Sequence, residues 1–119
     1  MIGKGENQHP VNSQQEVKRP MIKLLMTWDL RNELEHSYLK FVMREFVPGL
    51  MRLGIQPTEV WYTVFGEGPQ VLTGGVTEDL DSMEEILASE EWQKLVAKLT
   101  GLVTNFQYKV IRASGRFQL

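Results

Sequence analysis

Apolar and polar residues alternate with a period of two from Met21 to Trp28. Ile22, Leu24, Met26 and Trp28 share one face, and Lys23, Leu25 and Thr27 the other. That is the period of a β-strand. The period then lengthens. Across Glu33 to Leu53, Leu34, Tyr38, Phe41, Val42 and Phe46 recur at helical spacing, and Met43, Val47 and Leu50 widen the stripe. Asn32 is a plausible N-cap, with Glu33 and Glu35 suited to the positive end of the helix dipole. Pro48-Gly49 interrupts this helix, and a proline there predicts a kink or a break. Gly54 suits the C-terminal cap.

The second half repeats the alternation of periods. Pro57 to Phe65 is dense in Val, Trp, Tyr, Thr and Phe and predicts a strand. Gly66-Glu67-Gly68-Pro69 predicts a hairpin loop, and Gln70 to Val76 the returning strand. Met83, Ile86 and Leu87 give a short helix starting at Asp81 or Ser82. Ser89-Glu90-Glu91-Trp92 reads as a fresh cap, so a second helix runs from Glu90 to about Leu99, with Gly101 ending it. Asn105 to Ala113 alternates again and predicts the last strand. The order is β-α-β-β-α-β, an α+β domain with a four-stranded antiparallel sheet.

Residues 1–20 break with this patterning. They are rich in Gly, Gln, Asn, Ser and charge, hold Pro10 and Pro20, and lack any aromatic residue. They read as a flexible N-terminal arm that cannot offset its ordering entropy. Residues 21–113 form the domain, and residues 114–119 are a tail. At 119 residues, 42% apolar and 24% charged, the chain suits one globular domain. A net charge of -2, without a basic stripe, argues against a nucleic-acid partner. No apolar run approaches the roughly 20 residues of a membrane span, and no secretory signal precedes the domain. With no cysteine, thiolate chemistry and disulfides are excluded, which fits a cytoplasmic protein.

The sheet reads as apolar on both faces. Val60, Tyr62 and Val64 fall on one side of the second strand, and Trp61, Thr63 and Phe65 on the other. Leu25 adds to the second side. Two helices cover one face of such a sheet, and a bare apolar face is unusual on a monomer. A second copy of the chain is the simplest cover, so a homodimer is expected, with Leu25, Trp61, Thr63 and Phe65 at its interface. A flat aromatic surface partly covered by the N-terminal arm is the alternative.

The strand Met21-Ile22-Lys23-Leu24-Leu25-Met26-Thr27-Trp28, the interrupted first helix, the Gly66-Glu67-Gly68 hairpin and Ile86-Leu87-Ala88-Ser89-Glu90-Glu91-Trp92 carry a resemblance. In this order they resemble the dimeric α+β barrel superfamily of ferredoxin-like domains. That group includes antibiotic-biosynthesis-type monooxygenases, ether-degradation-type proteins, muconolactone isomerases and NIPSNAP-like proteins. The resemblance spans residues 21–113. It implies that two sheets pair into a barrel, and that a small organic molecule or haem binds between helices and sheet. Haem-degrading members use an Asn on the first strand, a Trp and a His on the second helical segment. Here Ser82 to Leu99 contains no His, so no haem is expected.

Candidate chemistry is sparse. His36 is the only histidine in residues 21–113, and His9 lies in the arm. Glu33 and His36 have Glu-x-x-His spacing on one helical face, but a di-metal centre needs two such motifs and further carboxylates. No metal or other cofactor is expected. His36 is either a solvated or capping residue or a general base at a pocket mouth. Trp28 ends its strand beside Asp29 and Arg31. Those three either hold a small polar aromatic compound or only shape the turn. Trp28, Tyr38, Tyr62 and Trp92 are candidate ligand-binding residues, against core packing as the plainer role. Arg44 has no opposite charge at helical spacing and reads as solvated. Gly66-Glu67-Gly68 joins two strands and lacks the third glycine of a dinucleotide loop. Gly74-Gly75 either leaves room for a ligand or marks a bulge.

Two functions follow. One is a small homodimeric protein that binds or transforms a small organic molecule between helices and sheet, of the cofactor-independent monooxygenase or isomerase type. His36 or Asp29 would move the proton. The other is a non-catalytic ligand-binding or dimerisation module.

Overall fold

The computed structural model describes residues 21–113. The expected arm 1–20, with His9, and the tail 114–119 lie outside the described residues. In strand β1 (Met21–Leu30) every second side chain faces the helices. Ile22, Leu24, Met26 and Trp28 are almost fully enclosed.

The first helical run covers residues 32–53 and changes pitch along its length. A 3₁₀ turn, Asn32–Leu34, leads into α1 (Glu35–Phe41). The expected Asn32 cap is not made. Arg31 precedes the turn in extended conformation with no side-chain cap, and the Leu34 N–H donates to the Arg31 carbonyl at 2.9 Å instead. Next comes a π-helical turn, Val42–Phe46, and then α2 (Val47–Leu53). Pro48 therefore causes no break. It sits at the start of α2, where a missing N–H costs least. The departure from α pitch falls just before it, where the Val47 N–H donates to the Val42 carbonyl five residues back. This wide turn lets Phe41 and Phe46 both point inward, while Met43 faces solvent rather than widening the buried stripe. Gly49 serves helix packing, because a Cβ there would stand 2.7 Å from Leu95 Cδ1. Gly54 closes α2 at φ 105°.

Strand β2 (Gln56–Tyr62) and β3 (Val71–Thr77) form the hairpin. Beyond β2, Thr63 still donates its N–H to the Gln70 carbonyl at 2.9 Å. The loop then turns through Gly66 and Gly68, both at positive φ. Helix α3 (Leu80–Leu87) starts one to two residues ahead of expectation, because Asp79 caps it, its carboxylate taking the Ser82 N–H at 2.8 Å. Helix α4 (Glu90–Thr100) is capped by the Ser89 hydroxyl. Strand β4 (Val103–Ala113) completes the domain.

The sheet is fully antiparallel in the order β2-β3-β1-β4, the ferredoxin-like arrangement. Register sorts its faces, since paired residues of antiparallel strands point the same way. Trp28, Val71 and Tyr62 pair in a row on the helix side, as do Met26, Thr73 and Val60. Lys23, Leu25 and Thr27 point to the open side, with Leu72, Trp61, Val76 and Ile111. That open face is mixed rather than uniformly apolar. Gln107 and Lys109 lie on it, and Lys23 Nζ reaches across β3 to Glu59 at 2.8 Å. Val64 and Phe65 lie past the end of β2 and are almost bare.

The paired glycines let β3 be crowded from both sides. A Cβ on Gly74 would stand 2.8 Å from Lys23 Cε, and one on Gly75 would collide with Ile55 Cγ2. The β2 register also shifts between Pro57 and Glu59, opposite Gly75 and Gly74. The Gly74 backbone nonetheless lines a cleft on the helix side. Gly75→Ala is expected to destabilise the domain by about 1–3 kcal/mol through overpacking. Urea denaturation, compared with the parent, measures the loss.

Candidate functional site

Three helical segments and three strands leave a cleft on the helix side near β2. Helix α2 packs close to β2, but β2 is an edge strand and its helix-facing side chains are only half covered. Val60 and Tyr62 are 52% and 53% exposed for that reason. The cleft encloses about 130 Å³. Val42, Phe46, Val47 and Leu50 form its helical wall, so the π turn lies along it. Pro57, Val60, Tyr62 and Thr73 form its sheet wall, and Trp28 and Tyr38 its floor.

The floor is the best-defined part. Trp28 is 2% exposed and packs edge-on to Tyr38 and Phe46, with ring centroids 6.3 and 6.1 Å away. Phe106 stacks at 6.1 Å on its other side. The indole N–H donates to the Tyr38 hydroxyl at 3.1 Å. An indole is a donor only, so a buried one needs such an acceptor. Burial pushes the Tyr38 phenol up to about 12, the Trp28 bond opposing this and Tyr62 adding to it. Tyr38 is thus protonated at neutral pH and acts as a hydrogen-bonding group, not as a base.

The expected site residues divide. Trp28, Tyr38 and Tyr62 meet in the cleft. Trp92 does not line it. It is buried beneath α4 against Tyr108, with centroids 5.6 Å apart. His36 is exposed on α1 and does not line the cleft either.

Asp29 also lies outside the cleft lining and joins three strands. Its Oδ1 accepts the Gln70 N–H at 2.9 Å and its Oδ2 accepts Asn105 Nδ2 at 2.8 Å. Gln70 returns a bond from its side chain, accepting the Leu30 N–H at 2.7 Å. Asn105 holds a left-handed φ of 58°, which Asn tolerates better than most residues. The β1–β4 register shifts here, between Thr27 and Asp29. Asp29 therefore clamps a bulge. Among the described residues no cluster of three His, Cys, Asp or Glu side chains could hold a metal, and no helix is long and apolar enough to cross a membrane.

Sequence reasoning missed the Val42–Leu50 wall as a site and the Gln70–Asp29–Asn105 clamp. The wall left no separate signal, because Val42, Phe46 and Leu50 stand four residues apart as in any core stripe. The clamp joins residues 41 and 76 positions apart in sequence and left no local signal.

No protein-family model matches the sequence, and no curated protein matches it. Solved structures do match. A NIPSNAP family protein from Agrobacterium tumefaciens is 22% identical, over 76% of this chain and 83% of that one, with a TM-score of 0.59. An ethyl tert-butyl ether D family protein from Bacillus halodurans is 11% identical, over 75% of this chain and 96% of that one, with a TM-score of 0.58. A dimeric protein of unknown function and ferredoxin-like fold from Bacteroides fragilis is 16% identical, over 76% and 94%, with a TM-score of 0.52. These likenesses establish the fold, a ferredoxin-like α+β domain.

The clamp sets a pH dependence. The Asn105 bond, then the Gln70 bond, hold the Asp29 carboxyl below the usual carboxylate range. The folded state then binds fewer protons than the unfolded one. The resulting stability is full above about pH 4 and is lost as pH falls through the lowered folded-state value. Asp29→Ala is expected to lower stability near pH 7 and to weaken the acid-dependent loss. Urea midpoints measured from about pH 7 down to about pH 3 test this.

Proposed function

We propose that this protein is a homodimeric α+β barrel that binds a small organic molecule in the cleft between its helices and β2. The observation that carries the ligand reading is the cleft floor, where two linked aromatic polar groups, Trp28 and Tyr38, sit within apolar walls. Ligand sites are built in that way, with a few fixed polar groups in a largely apolar hollow. Binding is favoured over transformation. A proton-transfer enzyme needs a group of suitable pKa within reach of its substrate. Tyr38 holds its proton too firmly, and neither His36 nor Asp29 lines the cleft.

The dimer reading is supported by the open face. Leu25, Leu72 and Trp61 lie together on it, and Trp61 is 66% exposed. Val64 and Phe65 extend apolar surface beyond the strand. The Lys23–Glu59 pair on the same face is internally matched, so covering it leaves no charge alone. One similar solved structure is described as dimeric.

Light scattering at micromolar concentration is expected to give the mass of two chains, and Trp61→Glu that of one. A monomeric parent, or an unchanged Trp61→Glu, would remove the dimer. For the ligand, single-ring aromatic fragments are expected to raise the melting temperature of the parent. They should not raise that of Val42→Trp, which fills the cleft from the helical wall. Equal shifts in both proteins, or none in the parent, would count against the cleft.

A further inference from the structure

We propose that the two copies pair about a two-fold axis running along the strands, so that β2 of each lies over β4 of the other, Trp61 enters a trough on the second copy, and Lys109 faces its Glu59. This rests on the open sheet face being the dimer interface.

The open face differs from one edge to the other. Pairing in register lays out rows across it. One row runs Trp61, Leu72, Thr27, Gln107 from β2 to β4, and the next runs Glu59, Gly74, Leu25, Lys109. The Glu59 row is the middle of three, between the rows of Trp61 and Lys23. On the β2 side Trp61 projects, 66% exposed. On the β4 side lies a trough of about 410 Å³, with Leu25, Thr27, Gln107 and Lys109 in its lining. It exceeds the roughly 150 Å³ that holds a benzene ring, so it has room for an indole. Charge is divided in the same way. Glu59 lies on β2 and is held from one side by Lys23 Nζ, at 3.0 and 2.8 Å. Lys109 lies on β4, is exposed, and makes no ion pair among the described residues.

Two aligned sheets can be related by a two-fold axis across the strands or along them. An axis across the strands, through the middle row, sets like on like. Trough then faces trough, Lys109 faces Lys109 and Glu59 faces Glu59. An axis along the strands sets each row on the same row reversed. Trp61 then comes over Gln107, at the trough, and Glu59 over Lys109. Stacked sheets stand about 10 Å apart, a gap that extended lysine and glutamate side chains span between them. A rim ion pair adds little affinity, but facing like charges are costly enough to exclude an arrangement. Shape and charge therefore favour the same axis.

The test measures dimer dissociation constants of the full chain and its variants by analytical ultracentrifugation. Lys109→Glu sets a carboxylate against Glu59 of the other copy and is expected to weaken the dimer about tenfold or more. Glu59→Lys should weaken it too. Mixed in equal amounts, the two variants are expected to pair with each other far more tightly than either pairs with itself, because every facing charge is then opposite. Thr27→Trp fills the trough and should also weaken the dimer, whereas two facing troughs would accommodate it. A Lys109→Glu dimer as tight as the parent's would overturn this arrangement and leave the dimer standing. So would a mixture no tighter than its components, or an unchanged Thr27→Trp dimer. If Glu59→Lys does not fold, about 1 M salt replaces it, since salt screens facing carboxylates. A Lys109→Glu dimer that salt does not restore would then overturn the arrangement. A monomeric parent removes the dimer reading, and this proposal with it.

Discussion

The indole of Trp28 sets most of the geometry around it. It ends the buried face of the central strand β1 and is enclosed on every side. Its N–H is a donor that water cannot reach, and leaving it unpaired would cost about 1–3 kcal/mol. Tyr38 meets that need from α1, so the helix must begin where its first inward side chain reaches the strand end. The tight 3₁₀ turn at Asn32–Leu34 delivers it. Phe46 must then pack edge-on to the same ring, and it arrives through the π turn. Phe106 closes the other side from β4, just where the β1 register shifts and Asp29 clamps the bulge. Two departures from regular structure, one in a helix and one in a sheet, thus serve one side chain.

The cleft follows from uneven cover. Helix α4 lies over the β4 side of the sheet, where Trp92 packs on Tyr108. The first helical run lies over the centre, and α2 only partly reaches β2. What is left is a short trough along the edge strand. Its walls are apolar because they belong to residues that would otherwise be core. Its polar floor exists because Trp28 needed a partner. The hydrogen-bonding groups of the site are therefore the same groups that satisfy the core, which fixes their direction more firmly than free surface hydroxyls would be fixed.

Where sequence and structure agree, the pattern was local. Alternation over Met21–Trp28 is enough to define a strand and its buried side, and Ser89 before two glutamates is enough to define a helix start. Where they part, the cause is contact between distant segments. Pro48 looked like a break, but a change of pitch one turn earlier absorbed it. Gly74 and Gly75 were open to two readings, and both hold in part: the β2 register shifts opposite them, and Gly74 lines the cleft. Trp92 and Tyr62 were equal as aromatic candidates in sequence. Only the strand order, which puts β2 and β4 at opposite edges, separates one into the cleft and the other into the core beneath α4.

Strand β2 links the two halves of the proposed function. Successive side chains of a strand point to opposite faces. Tyr62 turns into the cleft while Trp61 turns to the open face proposed for the second copy. An edge strand held on one side only by β3 has freedom to shift or twist. Covering Trp61 would remove that freedom, and the Tyr62 side of the cleft would then be held in place. If both proposed surfaces are used, dimerisation and ligand affinity would be coupled through this one strand, even though their surfaces lie on opposite faces of the sheet. By linkage such a coupling would run both ways, so a molecule in the cleft would also tighten the pairing of the two chains.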